Sequence, residues 1–237
     1  MAASVYLLRR SRFETLGAYV PGHEPILFQI GEFKAYARPG TEDLGILVYA
    51  HEGGVSSWFR PRPHEVFVDV GAHIGTYSLR AGIVGARVIA IEPNPDSFRA
   101  LESNFRLNHL TALLAVQSGV GEAEGFATVE ADPLYTGQTR LSRTGPRAGA
   151  VPVRCLDDLL SPLLLDRIDW LKIDVEGGEL GVLKGARRSL ARTDRLIIEL
   201  ERDNEFEALS ILMNEHEFRI VETDAQADVV YYLLRRD

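Results

Sequence analysis

The stretch VFVDVGAHIGTYSLR, Val66–Arg80, decides the fold. Its first five residues are an apolar run holding one acid, Asp69. Such a run is how a strand buried on both faces of a parallel sheet reads. Gly71 and Gly75 then bracket a short turn, and Gly75–Val84 has helical periodicity. Strand, glycine turn and helix in that order make a ligand-binding corner at the carboxyl edge of a sheet. Two phosphate-binding versions of the corner do not fit. The dinucleotide fingerprint G-x-G-x-x-G needs a glycine where this chain has His73, and no Lys-Ser/Thr pair follows to make a P-loop.

Working outward, the rhythm repeats. Arg87–Ile91 is a second strand. Asn94 is an N-cap, Pro95 sits at the first helical position, and Asp96–Asn108 carries the helix. Ala112–Gln117 is a third strand. Each step is too short for anything but a direct right-handed crossover, so the sheet is parallel. Upstream, Ile26–Ile30 and Phe33–Ala37 read as a hairpin around Gly31-Glu32, Leu47–Ala50 as a further strand, and Trp58–Pro63 (WFRPRP) as a linker. Downstream, GVGEAEGFATVEADP reads as a turn and a strand, and Val151–Cys155 as a strand. Between them Leu134–Ala150, rich in Gly, Thr, Ser and Arg, reads as a mobile loop suited to substrate contacts. LDDLL is a short helix, Asp169–Val175 a strand, Leu180–Leu190 a helix, Arg195–Leu200 a strand and Glu205–Asn214 a helix. Phe218–Glu222 and Val229–Leu234 form an antiparallel hairpin around TDAQAD. The expected architecture is α/β: a mostly parallel sheet closed by a C-terminal antiparallel hairpin. Residues 1–63 form a small N-terminal extension to a domain over 64–237.

Composition narrows the function. The formal net charge of −8 over 237 residues weighs against dedicated nucleic-acid binding. The clusters Arg9, Arg10, Arg12 and Arg140, Arg143, Arg147 read as solvated surface. The single cysteine, Cys155, forbids an intramolecular disulfide and a zinc site of several thiolates, and fits a reducing compartment. No run approaches the ~18 apolar residues of a membrane span. The N-terminal charges follow the short apolar part, the wrong order for a secretory signal, so the expected location is cytoplasmic.

The residues around the turn describe a ligand with a nucleoside end and an amino-acid end. Glu92 ends the second strand, where an acid accepts hydrogen bonds from ribose hydroxyls. Asp69 can orient the turn or meet an ammonium group. The helix N-terminus beyond Gly75 can receive a carboxylate. Ribose diol, ammonium and carboxylate together describe S-adenosylmethionine. A second cluster, WLKIDVEGGELGVLKGA (Trp170–Ala186), places Lys172, Asp174 and Glu176 on alternate positions of one strand end, hence on one face. A lysine and two acids projecting from an apolar strand are costly unless paired or used.

VDVGAHIG, IEPNPDSFRALESNFRLN, LDDLL, LKIDVEGGELGVLKGA and LIIEL, in that order over residues 65–201, resemble the FkbM-type S-adenosylmethionine-dependent methyltransferases. IDVEG…E…LKGA is the most specific part. The resemblance implies a Rossmann-like class I methyltransferase sheet acting on a hydroxyl of a small molecule or sugar. By position it places Asp69, Gly71, His73 and Gly75 around the methionine part and Glu92 at the ribose. It places Pro93 and Asn94 in the adenosine wall, and Ser118, Gly119 and Val120 at the adenine edge. Asp174, Glu176 and Glu179 face the methyl group and acceptor, with Glu199 at a neighbouring strand end. His73 departs from the family, which commonly carries Asn there. Residues 1–60 and 132–150 carry no part of the resemblance and hold the acceptor determinants; 1–60 are placed as a lid or homodimer contact.

Methyl transfer from a sulfonium needs alignment and desolvation, and a hydroxyl acceptor also gains from a general base. Asp174 or Glu176 is the expected base, tuned by Lys172 or His73. No metal is assigned; a divalent cation on the carboxylates that orients a diol is the rival arrangement. The alternatives are an RNA methyltransferase using the arginine clusters and a non-catalytic Rossmann-like binding protein.

Overall fold

The computed structural model describes residues 6–7, 23–47, 54–133, 136–142 and 149–236. The N-terminal part holds β1 (Tyr6–Leu7), β2 (Ile26–Ile30) and β3 (Phe33–Ala37), a sheet of order β1-β2-β3. β2 and β3 form the expected hairpin, Ile30 opposite Phe33. Two short helices follow, α1 (Asp43–Leu47) and α2 (Val55–Trp58). The strand expected at Leu47–Ala50 is not seen at Leu47, which ends α1, and residues 48–50 lie outside the described residues.

The alternating part matches the sequence pattern closely. β4 (Val66–Val70), α3 (Thr76–Ile83), β5 (Arg87–Ile91), α4 (Pro95–Leu107) and β6 (Leu113–Val116) follow in order. β7 (Gly119–Val120), β8 (Gly125–Glu130), β9 (Arg140–Ser142) and β10 (Val151–Arg154) form a small second sheet of order β7-β10-β8-β9. Residues 134–150, expected as a loop, thus contain a strand, because Arg140–Ser142 pairs with Thr128–Glu130. α5 (Leu156–Leu160) and β11 (Ile168–Ile173) come next. The single helix expected over Leu180–Leu190 is two, α6 (Glu179–Lys184) and α7 (Arg187–Leu190), broken at Gly185. Gly185 packs on the Gly121 carbonyl so tightly that an added Cβ would lie 2.1 Å from that oxygen. β12 (Thr193–Glu201), α8 (Glu205–Ser210) with a π turn over Ile211–Glu215, β13 (Phe218–Ala225) and β14 (Val229–Arg236) complete the chain.

The main sheet has the order β13-β14-β12-β11-β4-β5-β6. Its five strands from β12 to β6 are parallel, and β14 runs antiparallel to both β12 and β13. The fold is therefore the expected mostly parallel α/β sheet with a C-terminal antiparallel hairpin. Period two sorts its apolar residues into two cores. Val68, Ile89, Ile91, Leu171, Ile173 and Ile198 face one layer, with Leu156, Leu160, Val182 and Leu183. Phe67, Val88, Trp170 and Ile197 face the other, with Phe59, Tyr77, Leu79 and Leu101. β13 carries a bulge between Ile220 and Glu222, where Val221 has no register partner on β14.

Candidate active site

The glycine corner is built by close approach. Gly71, at φ +81°, donates its N–H to Ile91 O at 3.0 Å, and a Cβ there would stand 1.7 Å from the Asp174 carbonyl oxygen. No side chain fits, and the turn is locked against the loop that follows β11. Gly75, at φ +93°, lies under α4, where a Cβ would meet Leu101 Cδ1 at 2.5 Å. Between them His73 holds the left-handed conformation, φ +51°, which most side chains avoid. Its N–H donates to Glu92 Oε2 at 2.8 Å, and the Asn94 N–H donates to Glu92 Oε1 at 2.8 Å. Glu92 is buried and braced at both oxygens, each with a second lone pair left. Burial pushes its carboxyl up to about 7. Asp69 is 1% exposed; its Oδ2 accepts from Ser78 Oγ at 2.6 Å, while Oδ1 has no partner among the described residues. Burial raises this carboxyl too.

The N-terminal part reaches this corner through Arg38. Its Nε and Nη2 donate to both oxygens of the buried Asp43, each at 2.8 Å, and Nη1 donates to Ser97 Oγ at 3.2 Å. Nη2 also lies 3.0 Å from His73 Nε2 and 3.0 Å from Thr136 Oγ1. A guanidinium only donates, so a bond from Nη2 to His73 requires Nε2 to accept and leaves the ring proton on Nδ1, which is buried with no partner among the described residues. Burial drives the His73 ring down to about 4, keeping it neutral. Burial alone would raise Asp43, but the Arg38 hydrogen bonds outweigh it and the carboxyl is lowered. Glu42 Oε1 accepts the Gly137 N–H at 2.9 Å. Arg38 and Glu42 thus tie residues 136–142 to the glycine turn.

The third group gathers at the ends of β11 and β12. Lys172 is buried, lies beside Asp69 in register, and sits 5.0 Å from the Tyr77 ring centroid. Its Nζ pairs with Asp174 Oδ2 at 2.6 Å. β11 ends at Ile173, so Asp174 and Glu176 are not on the strand and strand periodicity does not align them. A tight turn does: Glu176 takes φ +51° and Gly177 φ +96°. One carboxylate oxygen each from Asp174, Glu176 and Glu199 then lies within 4.8 Å of the other two. Like charges at that spacing repel by about 3–4 kcal/mol at an effective dielectric of ~20. Burial and then Asp174 push Glu176 up to about 8 and Glu199 to about 9. Arg140 pairs with Glu201 at 2.5 Å beside them.

All three groups line one cavity of about 1500 Å³. Asp69, Gly71, His73, Glu92, Pro93, Ser118, Gly119, Val120, Lys172, Asp174 and Glu176 are on its wall, as is Glu199. Gly75 stands behind the turn. Asn94 is not on the wall, since its Oδ1 accepts from the Asp96 N–H at 2.9 Å and caps α4. Glu179 accepts the Gly177 N–H at 2.6 Å and so holds the acid turn. Gly119 packs under the second sheet, where a Cβ would meet Leu141 Cδ1 at 2.4 Å and displace that side chain. The sequence reading missed Arg38, Asp43, Thr136, Glu201 and Tyr231. Arg140, expected as solvated surface, is exposed, and it also pairs with Glu201 at the cavity; Arg143, Arg147 and the first arginine cluster lie outside the described residues. Among the described residues no helix is long and apolar enough to cross a membrane.

The family model described as "Methyltransferase FkbM domain" matches residues 69–225. The chain is 28% identical over 174 residues to "Hexuronic acid methyltransferase AglP" of Haloferax volcanii, covering 73% of this chain and 71% of that protein. It is 27% identical over 180 residues to "Methyltransferase 1" of Beauveria bassiana, covering 65% of this chain and 72% of that protein. Among solved structures, the M. jannaschii tRNA m1G37 methyltransferase superposes with a TM-score of 0.51 at 11% identity, over 92% of this chain and 56% of that one, a likeness of fold. With its seven-stranded sheet and a match spanning well over half its length, the chain belongs to the FkbM methyltransferase family and is an S-adenosylmethionine-dependent methyltransferase.

Proposed function

We propose that this methyltransferase methylates a hydroxyl oxygen of a sugar or small molecule. The observation that carries the reading is the convergence of Asp174, Glu176 and Glu199 in the cavity that the glycine turn shares. The residues fit an S-adenosylmethionine donor on their own chemistry. Asp69 Oδ1 is a buried acceptor lacking a partner among the described residues, suited to the donor's ammonium. Glu92 has spare lone pairs for a ribose diol. Pro93, Ser118, Gly119 and Val120 form the wall beyond it. When bound, the donor supplies an electrophilic methyl on sulfur.

The acids do the rest. A hydroxyl is a weak nucleophile until a base takes its proton, a contribution of about 10²–10⁴-fold. Glu176, pushed up to about 8, is matched to that task. Lys172 holds Asp174 in place and offsets its charge. AglP, by its name, methylates a hexuronic acid, which favours a carbohydrate acceptor. Apart from Lys172, Arg140 and Arg202, the charged lining is carboxylate, with His73 neutral, a poor wall for a phosphate backbone. We place the acceptor determinants in residues 1–60 and 132–150.

Glu176→Gln is expected to lower turnover about 10²–10⁴-fold while leaving donor affinity nearly intact. Labelled-donor assays over a panel of sugars and alcohols, beside a donor titration, measure both. Unchanged turnover removes Glu176 from the mechanism.

A further inference from the structure

The acid cluster holds more carboxylate than its surroundings neutralise. Lys172 pairs with Asp174. Glu176 faces Asp174, Arg140, Glu201 and Glu179, and of these Arg140 is already paired with Glu201. Glu199 faces Asp174, Glu176 and Lys172 and accepts a hydrogen bond from Tyr231. Three carboxylates from β11's following turn and from β12, with one oxygen of each within 4.8 Å of the other two, are thus served by one buried ammonium. Burial makes ionising all three together unfavourable. The same cavity holds Asp69 with Oδ1 buried and lacking a partner among the described residues, a second acceptor suited to a cation.

We infer that Glu176 and Glu199 share a proton in the free enzyme, that the sulfonium of the arriving donor displaces it to solvent, and that Glu199 is thereby a further catalytic residue, supplying with Glu176 the base for the acceptor. The inference rests on the donor reading above. The cycle conserves the charge of the site. Donor binding adds one positive charge and removes one proton. Methyl transfer breaks a C–S bond, whose electron pair stays on sulfur, and forms a C–O bond. The acceptor's proton passes to the Glu176–Glu199 pair. The product is a neutral thioether beside a reprotonated pair, which is the charge state of the resting enzyme. The product therefore binds and leaves without moving a proton.

Calorimetric titration in buffers of different ionisation enthalpy reads this directly, with no acceptor needed. Near neutral pH, S-adenosylmethionine is expected to release up to one proton per molecule bound, and S-adenosylhomocysteine none. The second ligand shares the adenosine and amino-acid groups, so Glu92 and Asp69 cancel in the comparison. Glu199→Gln and, separately, Glu176→Gln should each reduce the release for S-adenosylmethionine. Release that is absent, or equal for the two ligands, or undiminished in both variants overturns the inference and leaves the donor assignment standing. Failure of either ligand to bind overturns both.

Discussion

Asn94 and Glu92 stand two residues apart and serve different ends. Asn94 Oδ1 caps α4 through the Asp96 N–H, and its Nδ2 reaches Thr139 Oγ1 at 3.3 Å. Glu92 lies on the cavity wall. Asn94→Ala is therefore expected to cost about 1 kcal/mol of stability, the usual loss for an N-cap, with donor affinity nearly unchanged. Urea unfolding and a donor titration separate the two; a large fall in affinity at unchanged stability would return Asn94 to the adenosine wall. The N-cap itself was legible, because Asn-Pro before a periodic run has a local cause. That its side chain is spent on the helix follows from the same pattern.

Elements whose signals are local are legible in the sequence, and those fixed by distant contacts are not. β4 and β5 were read to the residue, since their apolar runs are bounded by turn residues. β11 was read too long, because the alternation of Lys172, Asp174 and Glu176 continues past the point where the backbone leaves the sheet at Ile173. Glu176 reaches its neighbours through a left-handed turn that a period-two pattern cannot encode. Arg38 was invisible for another reason. Its bond to Thr136 joins residues 98 apart, and nothing in the sequence around Arg38 marks it as half-buried. Arg38→Ala leaves Asp43, which is 0% exposed, with the backbone N–H of residue 38 but no cation, and is expected to destabilise by about 3–5 kcal/mol. Arg38→Lys keeps the charge but not the fork that holds Asp43, His73 and Thr136 together. Thermal unfolding of both variants checks this; an Arg38→Ala protein as stable as the parent would show that the network carries no energy.

Across the whole molecule, the buried acids set the pH dependence of stability. Glu92 is raised to about 7, and the Glu176–Glu199 pair, whose carboxylates repel in a buried site, is raised above the ordinary carboxylate range as well, so the folded chain keeps protons that the unfolded chain has lost. Their contribution is full below the unfolded carboxyl pKa of about 4.3 and declines as pH rises through the folded values. His73, lowered to about 4, acts oppositely: its contribution is present above about 6.5 and is lost as pH falls toward 4. Above about 6.5 only the acids act, and stability of the ligand-free protein is expected to fall steadily toward about pH 9. Scanning calorimetry across that window tests it. Glu199→Gln should flatten the slope, and a Tm that rises from neutral to alkaline pH contradicts the assignment. The parallel character of the sheet around this centre is legible because short strands alternating with helices admit few connections. The second sheet was not, since β7 and β9 are two and three residues long. One feature of the main sheet bears on the behaviour of the chain in concentrated solution. β13 is its outer strand, and Ile220 and Val221 there are 40% and 52% exposed. A straight strand with such residues would template another chain. The skipped Val221 interrupts the ladder, and Arg219, Glu222 and Asp224 add charge along it. The edge is thus guarded against strand addition and aggregation by one unpaired residue and its charged neighbours.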